Sequence, residues 1–468
     1  MASHCNKSFA KSYLLLNHED ASFFDLLLLL ISTNFAKRNF VESSEGVLKL
    51  SFSQRWLVFI SLVVQKLLQL LNKPLALFGN IVEMLINLVA LNGGIIMLIF
   101  NLLTGKLILP DPKSSKYLSC IGHLDARVNL DLAKRDEYRY NVALSMMASK
   151  AAYENESFLK TTVEDQWKME FVGFYNCRNE YQGKAETQVL VFSDRYKNRD
   201  TYVVAFRGTE PFDADDWCTD IDLSWYEIPG VGRMHGGFMK ALGLQRNVGW
   251  PKEIKQDESL PPFAYYVVRD MLRKVLSENK NAKFIVTGHS LGGALAILFG
   301  TILCLHDEKL LLERLEGIYT FGQPRVGDEA YAKYMKQKFK QNFVRYCRFV
   351  YCNDLVPRLP YDDKEMMFKH FGTCLFFNRR YELEILEEQW NKNYFSLWCV
   401  IPMGFNAILE LIRSFTIASE KGPHYREGWL LFAFRTIGLI IPGLPAHGPQ
   451  DYVNSTLLGS LEQHFKVE

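Results

Sequence analysis

Apolar positions crowd into one stretch near the start of the chain and only later settle into regular alternation with polar ones. Between Trp56 and Gly105, fifty residues, only Lys66, Lys73 and Glu83 carry charge. The uncharged part, residues 84–105, has 22 residues. At ~1.5 Å per residue, a helix of that length reaches across a hydrocarbon layer of ~30 Å. Asn87, Asn92 and Asn101 interrupt the run, and Asn92-Gly93-Gly94 is a turn signal near its middle. Three arrangements fit this pattern: an embedded hairpin or single span, a pair of interfacial helices with Lys66 and Lys73 snorkelling, or two buried helices. Fifty nearly uncharged residues without a polar loop favour contact with lipid, so residues 56–110 are read as a membrane- or lipid-associating region.

Residues 1–55 are read as a peripheral segment. The short Leu-rich run at 26–31 is flanked by His18, Glu19, Asp20 and Asp25, which suits neither a secretory signal nor a transit peptide. Pro110-Asp111-Pro112 opens a linker, and from about residue 140 to 468 the pattern is that of an α/β domain. Residues 188–192 and 201–206 predict strands. Ala264, Val267, Val268, Met271, Leu272 and Val275 line one face of a helix. The β-branched run at 283–287 leads into an Ala/Leu-rich helix ending near Cys304, and 318–321 and 348–351 predict further strands. Strands alternating with helices imply a mostly parallel central sheet covered on both faces.

Composition alters this picture little. Lys plus Arg number 54 and Asp plus Glu 52, a net charge of +2, which gives no footprint for nucleic acid. Nine cysteines without a CxxC pair point to neither a disulfide scaffold nor a zinc site.

The chemistry concentrates at Gly288-His289-Ser290-Leu291-Gly292, a G-x-S-x-G pattern with a strand before it and a helix after it. A sharp strand-to-helix turn would lift the Ser290 hydroxyl above the sheet edge and aim the helix N-terminus at a developing oxyanion. An ordinary β-α turn has the same outline, but the strand–helix context makes that reading the weaker one. A serine hydroxyl needs an oriented base. Asp354, just after the strand at 348–351, is the candidate acid. Four histidines follow it: His370 is read as structural, His464 lies in a terminal tail, and His424 sits in a polar stretch. His447, in a Pro/Gly-rich turn before a predicted helix at 451–461, is preferred as base, with His424 second. The second oxyanion donor is sought at Thr209, at the end of the strand containing Phe206-Arg207-Gly208.

Phe206-Arg207-Gly208-Thr209, Gly288-His289-Ser290-Leu291-Gly292-Gly293, Tyr319-Thr320-Phe321-Gly322-Gln323-Pro324-Arg325-Val326-Gly327 and Asn353-Asp354-Leu355-Val356-Pro357 occur in the order seen in class 3 lipases. The chain most resembles their plant oil-body triacylglycerol lipase branch, which shares a long apolar N-terminal region and an ending similar to residues 446–455. The resemblance implies an α/β-hydrolase fold with Ser290, Asp354 and His447 as catalytic triad, Thr209 and Leu291 at the oxyanion hole, and a lid over residues 210–222 carrying Phe212, Trp217 and Ile221. It implies hydrolysis of triacylglycerols, and of di- and monoacylglycerols, on a cytosol-facing lipid droplet or associated membrane, with no cofactor or metal. Phospholipase A1 or galactolipase activity, and a noncatalytic lipase-fold scaffold, are the alternatives. The chain departs from the compact fungal members in the long stretch from Asp354 to His447, 93 positions apart, where 398–412 and 429–444 are apolar.

Overall fold

The computed structural model describes residues 9–31, 38–44, 50–180, 184–197, 199–255, 257, 259–360, 368–390, 392 and 397–460. Within these, short β-branched and aromatic runs form β1 Ser12–Leu16, β2 Val41–Ser43, β3 Glu170–Asn179, β4 Lys184–Tyr196, β5 Arg199–Phe206, β6 Trp225–Ile228, β7 Gly232–His235, β8 Lys283–His289, β9 Leu315–Phe321, β10 Arg345–Tyr351, β11 Thr373–Phe377 and β12 Leu383–Leu386. Eight of them make one sheet in the order β12-β11-β10-β9-β8-β5-β4-β3. The five strands β5, β8, β9, β10 and β11 run parallel, while β3, β4 and β12 add antiparallel edges. The mostly parallel centre read from the alternation is therefore present.

Alternate residues of each strand face opposite sides, and the sheet is buried on both. Val189, Val191, Val204, Phe206, Phe284 and Val286 pack with the helices Ala264–Glu278 and Leu291–His306. Leu190, Phe192, Val203, Ala205, Ile285, Tyr319 and Phe321 pack with the helices Tyr138–Ala151 and Pro449–Leu458. The helix Leu291–His306 is apolar around most of its circumference and almost entirely buried, as a helix without a polar face must be. Strand order, the central parallel block and the strand–Ser290–helix junction at the end of β8 are those of an α/β-hydrolase.

Residues near the start join this unit directly. β1 pairs with β2 and with β6, giving a second sheet in the order β2-β1-β6-β7. The helix Phe23–Ile31 turns Leu26 and Leu29 inward.

The apolar stretch begins with one 40-residue helix, Phe52–Leu91, about 60 Å long. Ser51 caps it, accepting from the Gln54 N–H while its own N–H donates to Gln54 Oε1. The helix stops at the Asn92-Gly93-Gly94 turn, where both glycines have positive φ, and the helix Ile95–Leu103 follows. The uncharged run at 84–105 is thus not a single helix. The polar residues interrupting it tie it down: Asn87 exchanges hydrogen bonds with Leu118, Asn92 with Ile108, and the Cys120 N–H donates to Glu83 Oε1. Arg55, Ser61, Gln65 and Asn87 face inward while Leu70, Leu77, Ile96 and Leu103 are exposed. Phe52–Leu91 and Val400–Lys421 are each long and apolar enough to cross a membrane.

Candidate active site

Ser290 sits between the end of β8 and the N-terminus of the helix Leu291–His306, with φ 58° and ψ −130°. A non-glycine residue rarely holds a positive φ, and packing enforces it here. A Cβ on Gly288 would lie 2.1 Å from the Gly292 carbonyl, and one on Gly292 would lie 2.1 Å from the Phe206 carbonyl oxygen. Only hydrogen at both positions lets the turn close against the helix and against β5. The Ser290 N–H donates to the Phe321 carbonyl at 2.9 Å.

The three residues selected from the sequence converge. Ser290 Oγ lies 2.8 Å from His447 Nε2, and His447 Nδ1 lies 2.8 Å and 3.0 Å from the two Asp354 carboxylate oxygens. A carboxylate only accepts, so Nδ1 carries the proton and Nε2 is left with a lone pair for the serine hydroxyl. Asp354 follows β10 and is fully buried. Its Oδ1 accepts from the Val356 N–H at 2.9 Å and its Oδ2 from the Tyr452 hydroxyl. Burial of a carboxylate is tolerable when its lone pairs are met in this way. The Tyr452 phenol is itself held well above its ordinary range by burial and by the Asp354 charge, so it remains a donor.

His447 lies in the short turn Pro445–His447, just before the helix Pro449–Leu458. Its position is fixed from behind by His289, whose ring stacks on it at 4.6 Å. His289 Nε2 lies 2.9 Å from the His447 carbonyl oxygen and Nδ1 lies 2.9 Å from the Tyr153 hydroxyl. The carbonyl only accepts, so Nε2 donates and Nδ1 accepts from the tyrosine. Burial, followed by the neighbouring His447, pushes the His289 pKa well below the usual range and keeps this ring neutral. The other candidates stand apart. His370 Nε2 donates to the Pro357 carbonyl at 2.8 Å. His424 is exposed, edge-on to Tyr425. His464 lies outside the described residues.

Leu291 opens its helix, so its N–H is among the donors without an intrahelical partner. Gly208, at the end of β5, passes so close that a Cβ would lie 2.5 Å from the His289 carbonyl oxygen. That approach brings the next residue, Thr209, to the elbow, where it is buried. Its hydroxyl donates to Asp220 Oδ2 at 2.6 Å. Burial, with the Asp216 charge adding to it against the Thr209 hydrogen bond, pushes the Asp220 carboxyl up to about 8. Asp216 rises to about 7 through burial, opposed by Arg207 at 3.5 Å.

Both aspartates belong to the helix Ala214–Ile221, capped by Asp213. It forms the middle of the segment 210–222 and lies against the long N-terminal helix. Phe212 meets Phe78 edge-on at 5.6 Å, Asn72 Nδ2 donates to Asp215 Oδ1 at 3.2 Å, and Ser61 Oγ donates to the Ile221 carbonyl at 2.8 Å. Ser290 itself is only 5% exposed. The arrangement holds a strained, buried hydroxyl beside an oriented imidazole, the equipment for acyl transfer. Sequence reasoning missed Tyr452 and Tyr153, whose partners Asp354 and His289 are 98 and 136 residues away, and Asp220, which nothing distinguishes from the other aspartates of its helix.

The chain matches the family Lipase (class 3) over residues 203–364. It is 42% identical to the triacylglycerol lipase OBL1 of Nicotiana tabacum over 86% of this chain and 83% of that one. It is 34% identical to the triacylglycerol lipase OBL1 of Ricinus communis over 96% of this chain and 95% of that one. Among solved structures it is similar to the Rhizomucor miehei lipase propeptide complex, with a TM-score of 0.40 and 22% identity over 55% of this chain and 74% of that one.

Proposed function

The chain belongs to the class 3 lipases, and on that footing we propose that it hydrolyses triacylglycerols at a lipid surface through an acyl-enzyme on Ser290. The observation that carries the reading is the line of contacts from Ser290 Oγ through His447 to Asp354, both links 2.8 Å long. His447 Nε2 takes the Ser290 proton as Oγ attacks the ester carbonyl. Asp354 holds the imidazole in the needed tautomer and stabilises the imidazolium. The Leu291 and Thr209 N–H groups meet the oxyanion, and loss of one such donor costs on the order of 10²–10³ in rate. The imidazolium then gives its proton to the departing diacylglycerol oxygen. Water, deprotonated by His447, attacks the acyl-enzyme, and collapse of the second tetrahedral species returns the proton to Ser290 and releases the fatty acid.

Ser290 is covered, so substrate entry requires the helix Ala214–Ile221 to move as a lid. The exposed apolar faces of Phe52–Leu91 and Ile95–Leu103 are the proposed seat on an oil body or its parent membrane, with the catalytic unit on the cytosolic side. The names of the relatives support the triacylglycerol substrate. The deciding experiment compares fatty-acid release from triolein, phosphatidylcholine and galactolipid by the wild type and Ser290→Ala. Release confined to triolein and lost in the variant is expected. Release confined to a polar-headed lipid would make the enzyme a phospholipase A1 or galactolipase. Unchanged hydrolysis in Ser290→Ala, or no fluorophosphonate labelling of the wild type, would overturn the mechanism.

A further inference from the structure

Two helices between Asp354 and His447, Leu397–Lys421 and Trp429–Ile437, are built inside out. From residue 397 to 419 the only charged residues are Glu410 and Arg413, and from 428 to 444 only Arg435. All three point inward. Arg435 bonds both oxygens of Glu427 at 2.6 Å and Asp451 at 3.1 Å, and Arg413 bonds Asp451 at 2.8 Å. Glu410 lies 3.6 Å from Arg435. The opposite face carries Ile401, Phe405, Ile408, Ile412 and Phe415 at helical spacing, with Ile401 76% and Phe415 70% exposed. Trp429, Ile437 and the following Leu439, Ile440 and Ile441 extend it, with Ile440 83% exposed.

In water this arrangement is unfavourable on both counts. Charges are desolvated where they could be hydrated, and large apolar side chains are hydrated where they could be buried. Turned half a revolution, the first helix would correct both. The orientation is favourable only against an apolar medium, where charged groups belong on the inner side of a bundle. A contiguous apolar patch of this kind marks a contact surface. A protein partner would be expected to find a charged rim, yet this face has none within either run.

The patch is also not isolated. The short helix Cys120–Leu124 touches both Trp429–Ile437 and the long helix Phe52–Leu91. The long helix shares part of this inversion, with Arg55, Ser61, Gln65 and Asn87 inward and Leu67, Leu70, Leu71 and Leu77 outward, although Val58 and Leu62 also pack inside. We infer that Leu397–Ile441 is a second lipid-inserting surface, continuous with the N-terminal one, and that its occupant is the acyl-chain layer of a lipid monolayer or bilayer. It ends six residues before His447. Gly443 accepts from the Leu355 N–H at 3.4 Å, beside Asp354. The turn carrying the base thus follows directly on this segment, and the loop carrying the acid touches its end. This rests on the lipase reading only for its purpose, since insertion requires no catalysis.

The test uses the full chain carrying Ser290→Ala, with triolein droplets coated in phosphatidylcholine. Adding Ile401→Glu, Phe405→Glu and Ile412→Glu should lower co-flotation about tenfold or more at limiting lipid. The thermal midpoint in buffer should stay near the parent's, because these side chains touch solvent. A second measurement covers a variant that fails to fold. Brominated phosphatidylcholine should quench tryptophan emission, and the quenched fraction should fall in Trp429→Phe. Flotation equal to the parent's overturns the inference, as does a quenched fraction no smaller in Trp429→Phe. A dimer that becomes monomeric in the triple variant while flotation is unchanged would make the face a contact between copies and also overturn it. Failure of the lipase reading would show separately, as wild-type enzyme that floats but releases no fatty acid.

Discussion

Gly322 offers a direct way to loosen the triad without touching any of its members. It follows β9 with φ +59°, and its N–H donates to the Phe349 carbonyl at 3.0 Å. A Cβ there would lie 2.8 Å from Asp354 Oδ2, 2.9 Å from His447 Cε1 and 3.0 Å from His447 Nδ1. Ordinary contact begins near 3.4 Å, so Gly322→Ala must push the carboxylate and the imidazole back by about half an ångström. The 2.8 Å contact from His447 to Ser290 then stretches past normal hydrogen-bond length. A misplacement of about 1 Å costs about 10² in kcat, so half of that should cost about tenfold, or about 1.4 kcal/mol of barrier. The left-handed backbone adds about 1–2 kcal/mol against folding, a fall of a few degrees in Tm. Gly230→Ala is the matched control, because Gly230 has φ +74° and nothing within 4 Å of its would-be Cβ. Turnover of a soluble p-nitrophenyl ester reads the chemical step apart from lipid binding. Both variants should lose similar stability, and only Gly322→Ala should lose turnover. Wild-type kcat in folded Gly322→Ala, or equal losses in the two, would refute the reasoning.

Other perturbations test neighbouring parts. Arg435→Met leaves Glu427 and Asp451 without their shared guanidinium and should cost about 3–5 kcal/mol in chemical denaturation; a loss under 1 kcal/mol would show that the cluster relaxes freely. Because burial raises the Asp220 carboxyl to about 8, the folded state keeps a proton that the unfolded chain releases near pH 4. Stability must therefore fall as pH rises from about 4 to 8. Asp220→Asn should flatten part of that slope, with Asp216 and Glu154, both raised to about 7 by burial, contributing further, and urea midpoints at several pH values would show an unchanged slope if the assignment is wrong. Gly79→Ala places a methyl 2.6 Å from Phe212 Cβ, and overpacking of this kind costs about 1–3 kcal/mol. Hydrogen exchange across Ala214–Ile221 should speed up by about tenfold in lipid-free protein; unchanged protection would mean that the long helix does not brace the lid.

The elbow was legible because its constraint is local: glycine at two fixed positions, a β-branched run before and an Ala/Leu run after. His447 was legible from its Pro/Gly-rich turn, and the structure puts its Nε2 against Ser290. What could not be read were pairings between distant segments. Nothing in Ser12–Leu16 announces Trp225–Ile228 as its neighbour, and nothing five residues after His447 marks Tyr452 as a donor to Asp354. In the apolar run at 84–105 the length allowed a span while Asn92-Gly93-Gly94 signalled a turn, and the turn is where the helix ends.

Hydrophobic periodicity tells which residues share a face, but not which way the face looks. In Leu397–Lys421 the stripe Ile401, Phe405, Ile408, Ile412 and Phe415 reads as a core-facing side under the usual rule. The structure puts it outward because the opposite stripe holds Glu410 and Arg413, whose partners Glu427, Arg435 and Asp451 are fixed in the protein. An ion cluster with all partners on one side determines the orientation, since exposing the arginines would strand buried carboxylates at several kcal/mol. The same logic operates in Phe52–Leu91, where Glu83 and Asn87 bond the backbone at 118–120. Polar pairing within the protein thus sets both helices, by ion pairs in one and hydrogen bonds to backbone in the other, and the apolar stripes are left for whatever medium lies outside. On the proposed lipid-seated reading, the apolar stripe of Leu397–Lys421 and the turn that carries His447 are parts of one continuous chain segment.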